Sequence, residues 1–418
     1  MKILHTSDWH IGRALYGRKR YEEFARFFDW LIACIETEGI EVLLVAGDIF
    51  DTTTPSNQAQ ELYYRFLCRV AGAGCRHVVI TAGNHDSPSL LNAPREVLHY
   101  LNVHVIGCMT EAAADELVVL RDGNDKPQLI VCAVPYLRDR DIRRAEAGET
   151  FADKDRKLVE GIRDHYRLVA EAAVALSGAL SAAQAGEIIP IVAMGHLFAS
   201  GGKTDDGDGV RELYVGNLGQ VRGDAFPDCF AYLALGHLHV GQQVMGSDVH
   251  RYSGAPLPMS FGEANHTKVV LAVTVTPEDV TVREIVVPCF QRLATVRGDW
   301  MQISERIATL LAEAVPVWTE VLYQGNEVVA DLQERVRELT AGTLLEVLRI
   351  KDLRLTAGTL NRLATEETLD DLKVEDVFGR CLADQQVPPE QQAELIALFQ
   401  ETILALQHDD GLNAEQGQ

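Results

Sequence analysis

The sequence predicts an α/β layered protein, and two features predict it. Five short apolar runs each stop at a cluster of polar residues, and amphipathic helical patterns separate the first three. Lys2–Thr6 leads into Ser7-Asp8-Trp9-His10, and Val42–Ala46 leads into Gly47-Asp48-Ile49-Phe50-Asp51. Residues 78–81 lead into Gly83-Asn84-His85-Asp86, residues 188–194 into Gly195-His196, and residues 232–235 into Gly236-His237-Leu238-His239. Short apolar runs with β-branched residues, bounded by glycine, read as buried strands. One intervening helix carries Phe24, Phe27, Phe28, Leu31, Ile32 and Ile35; the other carries Leu62, Phe66, Leu67 and Val70. Sites in such folds collect at the carboxyl ends of the strands.

Beyond about residue 290 the pattern becomes a small βαβαβ unit: strand 293–296, helix 300–314, strand 317–323, helix 328–339 and strand 344–355. Two acidic amphipathic helices follow. The first carries Leu369, Leu372, Val377, Phe378 and Leu382. The second opens at Pro388-Pro389, where proline suits a first helical turn, and carries Leu395, Ile396, Phe399, Ile403 and Leu406. Residues 121–127 and 200–209 read as loops, and no internal repeat is visible. The expected division is 1–290, 291–360 and 361–418.

A chain of 418 residues fits two or three domains at ~100–200 residues each. Its 47% apolar and 24% charged content suits a globular protein and argues against disorder. No stretch approaches the ~18 uninterrupted apolar residues of a membrane helix, and the opening MKILHTSDWH lacks the apolar core of a secretion signal. Eight cysteines without a CxxC pair fit reduced thiols in a cytoplasmic protein. The net charge of −23 excludes a broad DNA-coating basic face. The acidity is uneven: residues 364–418 hold 13 acidic and 2 basic side chains, a net of −11. The body is closer to neutral and leaves room for a local basic groove.

The strand-end clusters carry the chemistry. They offer Asp8, His10, Asp48, Asn84, His196, His237 and His239, all oxygen or imidazole donors, with no thiol among them. Seven donors exceed what one metal takes and suit two metals ~3.5–4 Å apart, which clamp a phosphate and activate water. The mixture favours Mn²⁺, with Fe²⁺ and Zn²⁺ as alternatives; Mg²⁺ ranks last because it prefers all-oxygen ligands. Two divalent ions against two aspartates leave the site net positive inside an acidic protein. His85 is left over beside Asn84, where an imidazole would stabilise developing charge or protonate the leaving oxygen. Asp86 is placed to orient it. Any one of these residues alone reads as a structural turn residue or a core histidine. DxH, GDxxD, GNHD, GH and GHxH in that order, each after an apolar run, read as one constellation.

These ordered motifs resemble the calcineurin-like metallophosphoesterase superfamily. HTSDWHIG, VAGDIFDTTTPS, AGNHDSP, GH and LALGHLHVGQ narrow the likeness to its DNA double-strand-break nucleases, in their bacterial branch. It continues through RYSGAPLPMSF at 251–261 and ETLDDLKVEDVFGR at 367–380, and so spans nearly the whole chain. The resemblance implies an α/β/β/α sandwich nuclease domain, a small α+β capping domain and C-terminal helices. It implies that Asp8, His10, Asp48 and His239 hold one metal and that Asp48, Asn84, His196 and His237 hold a second, Asp48 bridging. His85 matches the family's catalytic histidine. Archaeal and eukaryotic members carry histidine where this chain has Asp51, a position associated with the DNA strand; aspartate fits the bacterial branch. The implied activities are 3′→5′ exonuclease and single-strand endonuclease action in DNA recombination, replication and repair. The implied partners are DNA and an SMC-family ATPase bound through the C-terminal helices, with a homodimer inside a heterotetramer.

Other residues read more plainly. His5 lies inside the first strand and belongs to the core, and His77, His99, His104, His165 and His408 stand outside the clusters. His250 and His266 flank the RYSGAP segment, and Lys203 and Arg211 border the loop after His196. Asp205, Asp206 and Asp208 lack the spacing and closing glutamate of a calcium loop. The competing functions are a small-substrate phosphoesterase on the same metal core and a non-catalytic scaffold. The long C-terminal region argues against the first, and the complete donor set with His85 argues against the second.

Overall fold

Residues 1–143, 149–199, 221, 226–325 and 331–353 are described by the structure, a computed structural model. In chain order the strands are β1 (Lys2–Thr6), β2 (Ala14–Leu15), β3 (Arg18–Lys19), β4 (Val42–Ala46), β5 (His77–Thr81), β6 (Val103–Ile106), β7 (Leu117–Arg121), β8 (Pro127–Ala133) and β9 (Ile191–His196). They continue with β10 (Tyr232–Gly236), β11 (Gln242–Val244), β12 (Ser247–Tyr252), β13 (Val269–Val275), β14 (Val280–Val286), β15 (Arg292–Gly298), β16 (Val317–Tyr323) and β17 (Leu345–Asp352). Two helices, α1 (Tyr21–Glu38) and α2 (Asn57–Gly72), follow β3 and β4.

Two mixed six-stranded sheets build the first of two compact units, which comprises residues Met1–Val296, Arg306–Val321 and Gln333–Arg349. One sheet runs β14-β13-β1-β4-β5-β6 and the other β11-β12-β10-β9-β8-β7. In the first, β1, β4, β5 and β6 are parallel neighbours; in the second, β12, β10, β9 and β8 are. Alternate residues explain why these strands read as unbroken apolar runs. Leu43 and Val45 face α1 and α2, while Val42, Leu44 and Ala46 face the other sheet. Leu233 and Leu235 face the long helix Phe151–Ala183, while Tyr232 and Ala234 face inward. Both faces are buried, so neither needs a polar residue. The result is the α/β/β/α sandwich: α1 and α2, two sheets, then the long helix.

The first helical layer follows from the sequence pattern. Phe24, Phe27, Phe28, Leu31 and Ile35 of α1 are buried, and Trp9 is wedged edge-on against Phe27, Phe28 and Phe66. Gly39 ends α1 in the left-handed conformation at φ 63°, which glycine adopts without a Cβ penalty. Ser56 caps α2 by accepting from the Ala59 N–H.

The structure shifts or adds several elements. The expected strand 188–194 is Ile191–His196, so His196 closes the strand, paired with Gly236, instead of following it. Pro190 has no N–H to give the ladder, and Ile188 is largely exposed. The β2–β3 ribbon, β6 to β8, β11 to β14 and the helix Phe151–Ala183 are additions to the expected pattern. The helix hides in the sequence because its buried face is partly alanine, with Ala170 and Ala173 beside Ile162, Tyr166 and Val169. The expected helix 300–314 is Trp300–Ala312, strand 344–355 is Leu345–Asp352, and Leu332–Thr340 lies within the expected second helix but for its last residue.

The first unit also takes in most of a three-stranded sheet in the order β15-β16-β17. Within the second unit, Asp299 and Gln302 cap the helix Trp300–Ala312 reciprocally, and the Gln324 N–H reaches the Gly298 carbonyl. The tail helices, the 200–209 loop, Lys203, Arg211, the aspartates at 205, 206 and 208, and His408 lie outside the described residues. No helix among the described residues is long and apolar enough to cross a membrane. Cys34, Cys68, Cys75, Cys108, Cys132, Cys229 and Cys289 are free thiols.

Candidate metal centre

The five clusters meet at the carboxyl ends of β1, β4, β5, β9 and β10, which arrive from both sheets. Backbone hydrogen bonds lock the loops together: the Asp8 N–H reaches the Gly47 carbonyl at 3.0 Å, and the His10 N–H reaches the Asp48 carbonyl at 2.9 Å. Asp8 (φ 52°), His10 (46°), Asp48 (50°) and His237 (105°) all have positive φ, a conformation side-chain-bearing residues rarely adopt. Such strain persists where the surrounding structure over-determines it, most often at functional sites. Two glycines make room. A Cβ on Gly47 would lie 2.2 Å from His196 Nδ1, and one on Gly83 would lie 2.1 Å from Asp48 Oδ1.

The side chains form two adjoining clusters with a third at their edge. Asp8, His10 and His239 bring ligand atoms within 4.8 Å of one another, as do Asp48, His196 and His237, and also His10, Asp51 and His85. Asp48 stands between the first two, with Oδ2 at 3.5 Å from His10 Nε2 and 3.3 Å from His196 Nε2. The Asn84 Oδ1 lies 3.0 Å from His196 Nε2 and 3.1 Å from His237 Nδ1. The His10 and His239 Nε2 atoms face each other at 3.2 Å. All seven predicted donors are thus together, and all but Asn84 are buried.

Their environment fits cations. Asp8 and Asp48 are buried carboxylates, and neither meets a Lys or Arg among the described residues; uncompensated buried charge is costly. Burial raises the Asp8 carboxyl. Burial opposes ionisation of Asp48 too, but His196 and His10 outweigh it and hold that carboxyl well below the usual range. Burial pushes the His237 imidazole down to about 3 and also lowers His10. A neutral imidazole has the lone pair a metal needs. Burial works against the charged form of His196 as well, yet Asp48 outweighs it and raises that imidazole to about 9, a mark of how strongly this carboxylate draws positive charge.

The surrounding residues hold this set in place. Ser7 Oγ donates to Asp8 Oδ2 at 2.5 Å and meets Ser253 Oγ at 2.8 Å, and the His237 N–H reaches Asp8 Oδ1 at 2.9 Å. His196 Nδ1 donates to the Ala46 carbonyl at 2.9 Å. The expected orienting of His85 by Asp86 is corrected. His85 Nδ1 donates to the Asp51 backbone carbonyl at 2.9 Å, while the Asp86 carboxylate accepts from the Gly83, Ile49 and Phe50 N–H groups. These three amides take up both carboxylate oxygens, Gly83 and Ile49 at Oδ2 and Phe50 at Oδ1, and so hold the group away from the imidazole. Asp51 Oδ1 lies 3.4 Å from His10 Nδ1 and 3.1 Å from Arg13 Nη1.

Arg13 stands outside the quoted motifs, and Ser7 and Ser253 stand inside two of them with nothing local to mark their part in the site; Arg13 reaches Asp51, and Ser253 reaches Ser7, across long stretches of chain. Of the remaining histidines, His5 is core as expected, 2.9 Å from the Tyr232 hydroxyl, with burial pushing its imidazole down to about 3. His165 pairs with buried Glu116 at 2.9 Å, and His250 sits edge-on to Phe226.

A family model described as calcineurin-like phosphoesterase matches residues 1–241, and one described as type 5 capsule protein repressor C-terminal domain matches residues 289–386. The chain is 35% identical to the SbcD subunit of the nuclease SbcCD from Escherichia coli strain K12, over 98% of this chain and the whole of that protein. It is 38% identical to the Rhodobacter capsulatus protein of the same name over 64% of each chain, and 29% identical to that of Bacillus subtilis over 98% of this chain and all of that one. The chain belongs to the calcineurin-like phosphoesterases and, within them, to the SbcD nuclease-subunit family.

Proposed function

From that membership as premise, we propose that the chain is a Mn²⁺-dependent DNA nuclease subunit. It would act on duplex ends as a 3′→5′ exonuclease and on hairpins and single strands as an endonuclease. The observation that carries the reading is the pair of buried donor clusters around Asp48, with two carboxylates that no Lys or Arg among the described residues neutralises. Asp8, His10, Asp48 and His239 would hold one ion, and Asp48, Asn84, His196 and His237 the other. When bound, the two ions would supply charge to the phosphate and lower the pKa of water. Fe²⁺ and Zn²⁺ are the alternatives on the same donors, and Mg²⁺ ranks last because it prefers all-oxygen ligands.

The chain's own residues supply orientation and proton handling. Because a carbonyl only accepts, the Asp51 carbonyl fixes the proton of His85 on Nδ1 and leaves Nε2 to exchange a proton with the substrate. The His85 N–H also donates to Asp48 Oδ1 at 2.9 Å, which ties the imidazole's backbone to the shared carboxylate. Carrying a second proton on Nε2, His85 would give that proton to the leaving oxygen as general acid and return to the Nδ1–H form.

In this reading residues 1–290 form the nuclease domain, 291–360 a capping domain and 361–418 the docking tail for an SbcC-like SMC-family ATPase. The chain would work as a homodimer in a heterotetramer, in the cytoplasm at the nucleoid, in DNA recombination, replication and repair. Cleavage assays on a DNA hairpin, a duplex end and a chromogenic phosphodiester, with Mn²⁺ and with chelator, test it. Mn²⁺-dependent cleavage of the DNA substrates is expected. Turnover of the small diester alone would favour a small-substrate enzyme, and no turnover of any would favour a scaffold.

A further inference from the structure

We propose that Glu263 is a positioning residue for His239: its carboxylate backs the Nδ1 side of that ring so that Nε2 is presented to the first metal. The inference rests on the metal reading above and deepens it. His239 Nε2 is the site-facing nitrogen, because it meets His10 Nε2 at 3.2 Å. On the opposite side of the ring, Nδ1 lies 3.5 Å from Glu263 Oε1, within ion-pair range and short of a closed hydrogen bond. Glu263 is fully buried, at the end of the short turn Phe261–Glu263, and its other oxygen pairs with buried Lys268. The same ammonium donates to the His239 carbonyl at 3.1 Å. One Lys–Glu pair thus holds the backbone of His239 and places a carboxylate behind its ring.

A buried ion pair kept only for stability has no need to aim a carboxylate oxygen at an imidazole, since apolar replacements often serve as well. The other ring of the cluster repeats the arrangement. His10 Nδ1 is backed by Asp51 Oδ1 at 3.4 Å, and Asp51 is held by Arg13. Two imidazoles therefore meet at Nε2, each with a carboxylate and a cation behind it. In the neighbouring cluster, His196 Nδ1 instead donates to a backbone carbonyl, that of Ala46. A carboxylate behind a ligand histidine fixes its tautomer and raises its basicity, and its loss typically lowers metal affinity ~10–100-fold.

The test uses the full chain as Glu263→Gln and as Glu263→Gln/Lys268→Met, the second removing both buried charges so that no lone ammonium prevents folding. Mn²⁺ titration followed by electron paramagnetic resonance reads the two binding phases, Co²⁺ absorption reads the ligand field of each, and metal-free melting reads the fold. Expected is a melting profile close to native, one phase weakened ~10–100-fold with an altered Co²⁺ spectrum, and the other phase unchanged. Two native-like phases in a folded variant would overturn the proposal. A lowered metal-free melting temperature with both phases weakened alike would overturn it in favour of a purely structural pair. A native chain that takes up no Mn²⁺ would instead overturn the metal reading beneath it.

Discussion

The backbone carbonyl of Asp51 accepts a hydrogen bond from Nδ1 of His85 at 2.9 Å, so the loop after one parallel strand sets the tautomer of an imidazole on the loop after its neighbour. His85 belongs to neither of the two donor clusters around Asp48, although it borders both. His85→Ala should keep two bound metals yet lose ~10²–10⁴-fold in phosphodiester cleavage, the usual cost of an acid–base group. Metal analysis paired with a nuclease assay checks this; near-normal cleavage by the metal-loaded variant would remove His85 from the chemistry.

Asp48 stands between the two donor clusters. One oxygen lies near both His10 and His196, and the other accepts from the His85 N–H. Asp48→Asn should therefore weaken metal binding more than His10→Gln or Asn84→Ala, because the lost charge is shared by two mutually repelling cations. Calorimetric titration of the three variants with Mn²⁺ gives the ranking. Retention of two tight ions by Asp48→Asn would assign the shared role to another residue.

Asp86 staples two loops rather than serving the imidazole beside it. Its carboxylate accepts from Gly83 in its own loop and from Ile49 and Phe50 in the loop of Asp48, and it is fully buried. Asp86→Ala would leave three amides without their acceptor and should cost roughly 3–5 kcal/mol. Denaturant unfolding in chelator measures this directly. Metal affinity should fall alongside, since Asp48 and Asn84 lose their common brace; an unaltered unfolding midpoint would mean that water replaces the carboxylate.

His104, on β6 and away from the site, gives the protein a pH dependence of its own. Burial, aided by His77 and His99, pushes its imidazole down to about 4. The unfolded chain takes up the proton first, so the contribution is fully present above ~6.5, the ordinary value, and is lost as pH falls towards 4. His104→Asn should therefore lose about 1–2 kcal/mol less stability than the native chain between pH 7 and pH 5. Unfolding of both chains in chelator across that range checks it, and parallel curves would show that the ring is solvated.

What is legible in the sequence follows burial. Val42–Ala46 can be read because both faces of that strand are covered, which leaves five consecutive buried residues. β14 cannot: none of its residues is fully buried at that sheet edge, and Thr281, Arg283 and Glu284 break any apolar run. The donors of the site are legible because each sits next to a strand end in a short local motif. Glu263 and Lys268 are not, because they reach His239 across 24 and 29 residues of chain, and their meaning lies only in the distance between them in space. Asp86 misleads for the opposite reason: proximity in sequence suggests His85, whereas the backbone turns its carboxylate towards Ile49 and Phe50.

The acidic tail lies outside the described residues, and its sequence points to a docking role. Residues 364–418 carry a net charge of −11, which would repel a phosphate backbone. Their apolar residues recur at helical spacing, Leu369, Leu372 and then Leu395, Ile396, Phe399, Ile403, and such stripes commonly seat in a hydrophobic groove of a partner. The repressor-type C-terminal model extends to residue 386 and so takes in the first stripe. Deleting residues 366–418 should spare Mn²⁺ binding and basal cleavage of short single strands, because every predicted donor lies at or before His239. It should abolish association with the ATPase partner and ATP-stimulated processing of duplex ends. The competing arrangement, in which the stripes pack on their own domain, predicts instead a lowered melting temperature with association retained. Co-purification of the truncated chain with the ATPase at native yield would place the main contact elsewhere, and loss of co-purification at an unchanged melting temperature would place it here.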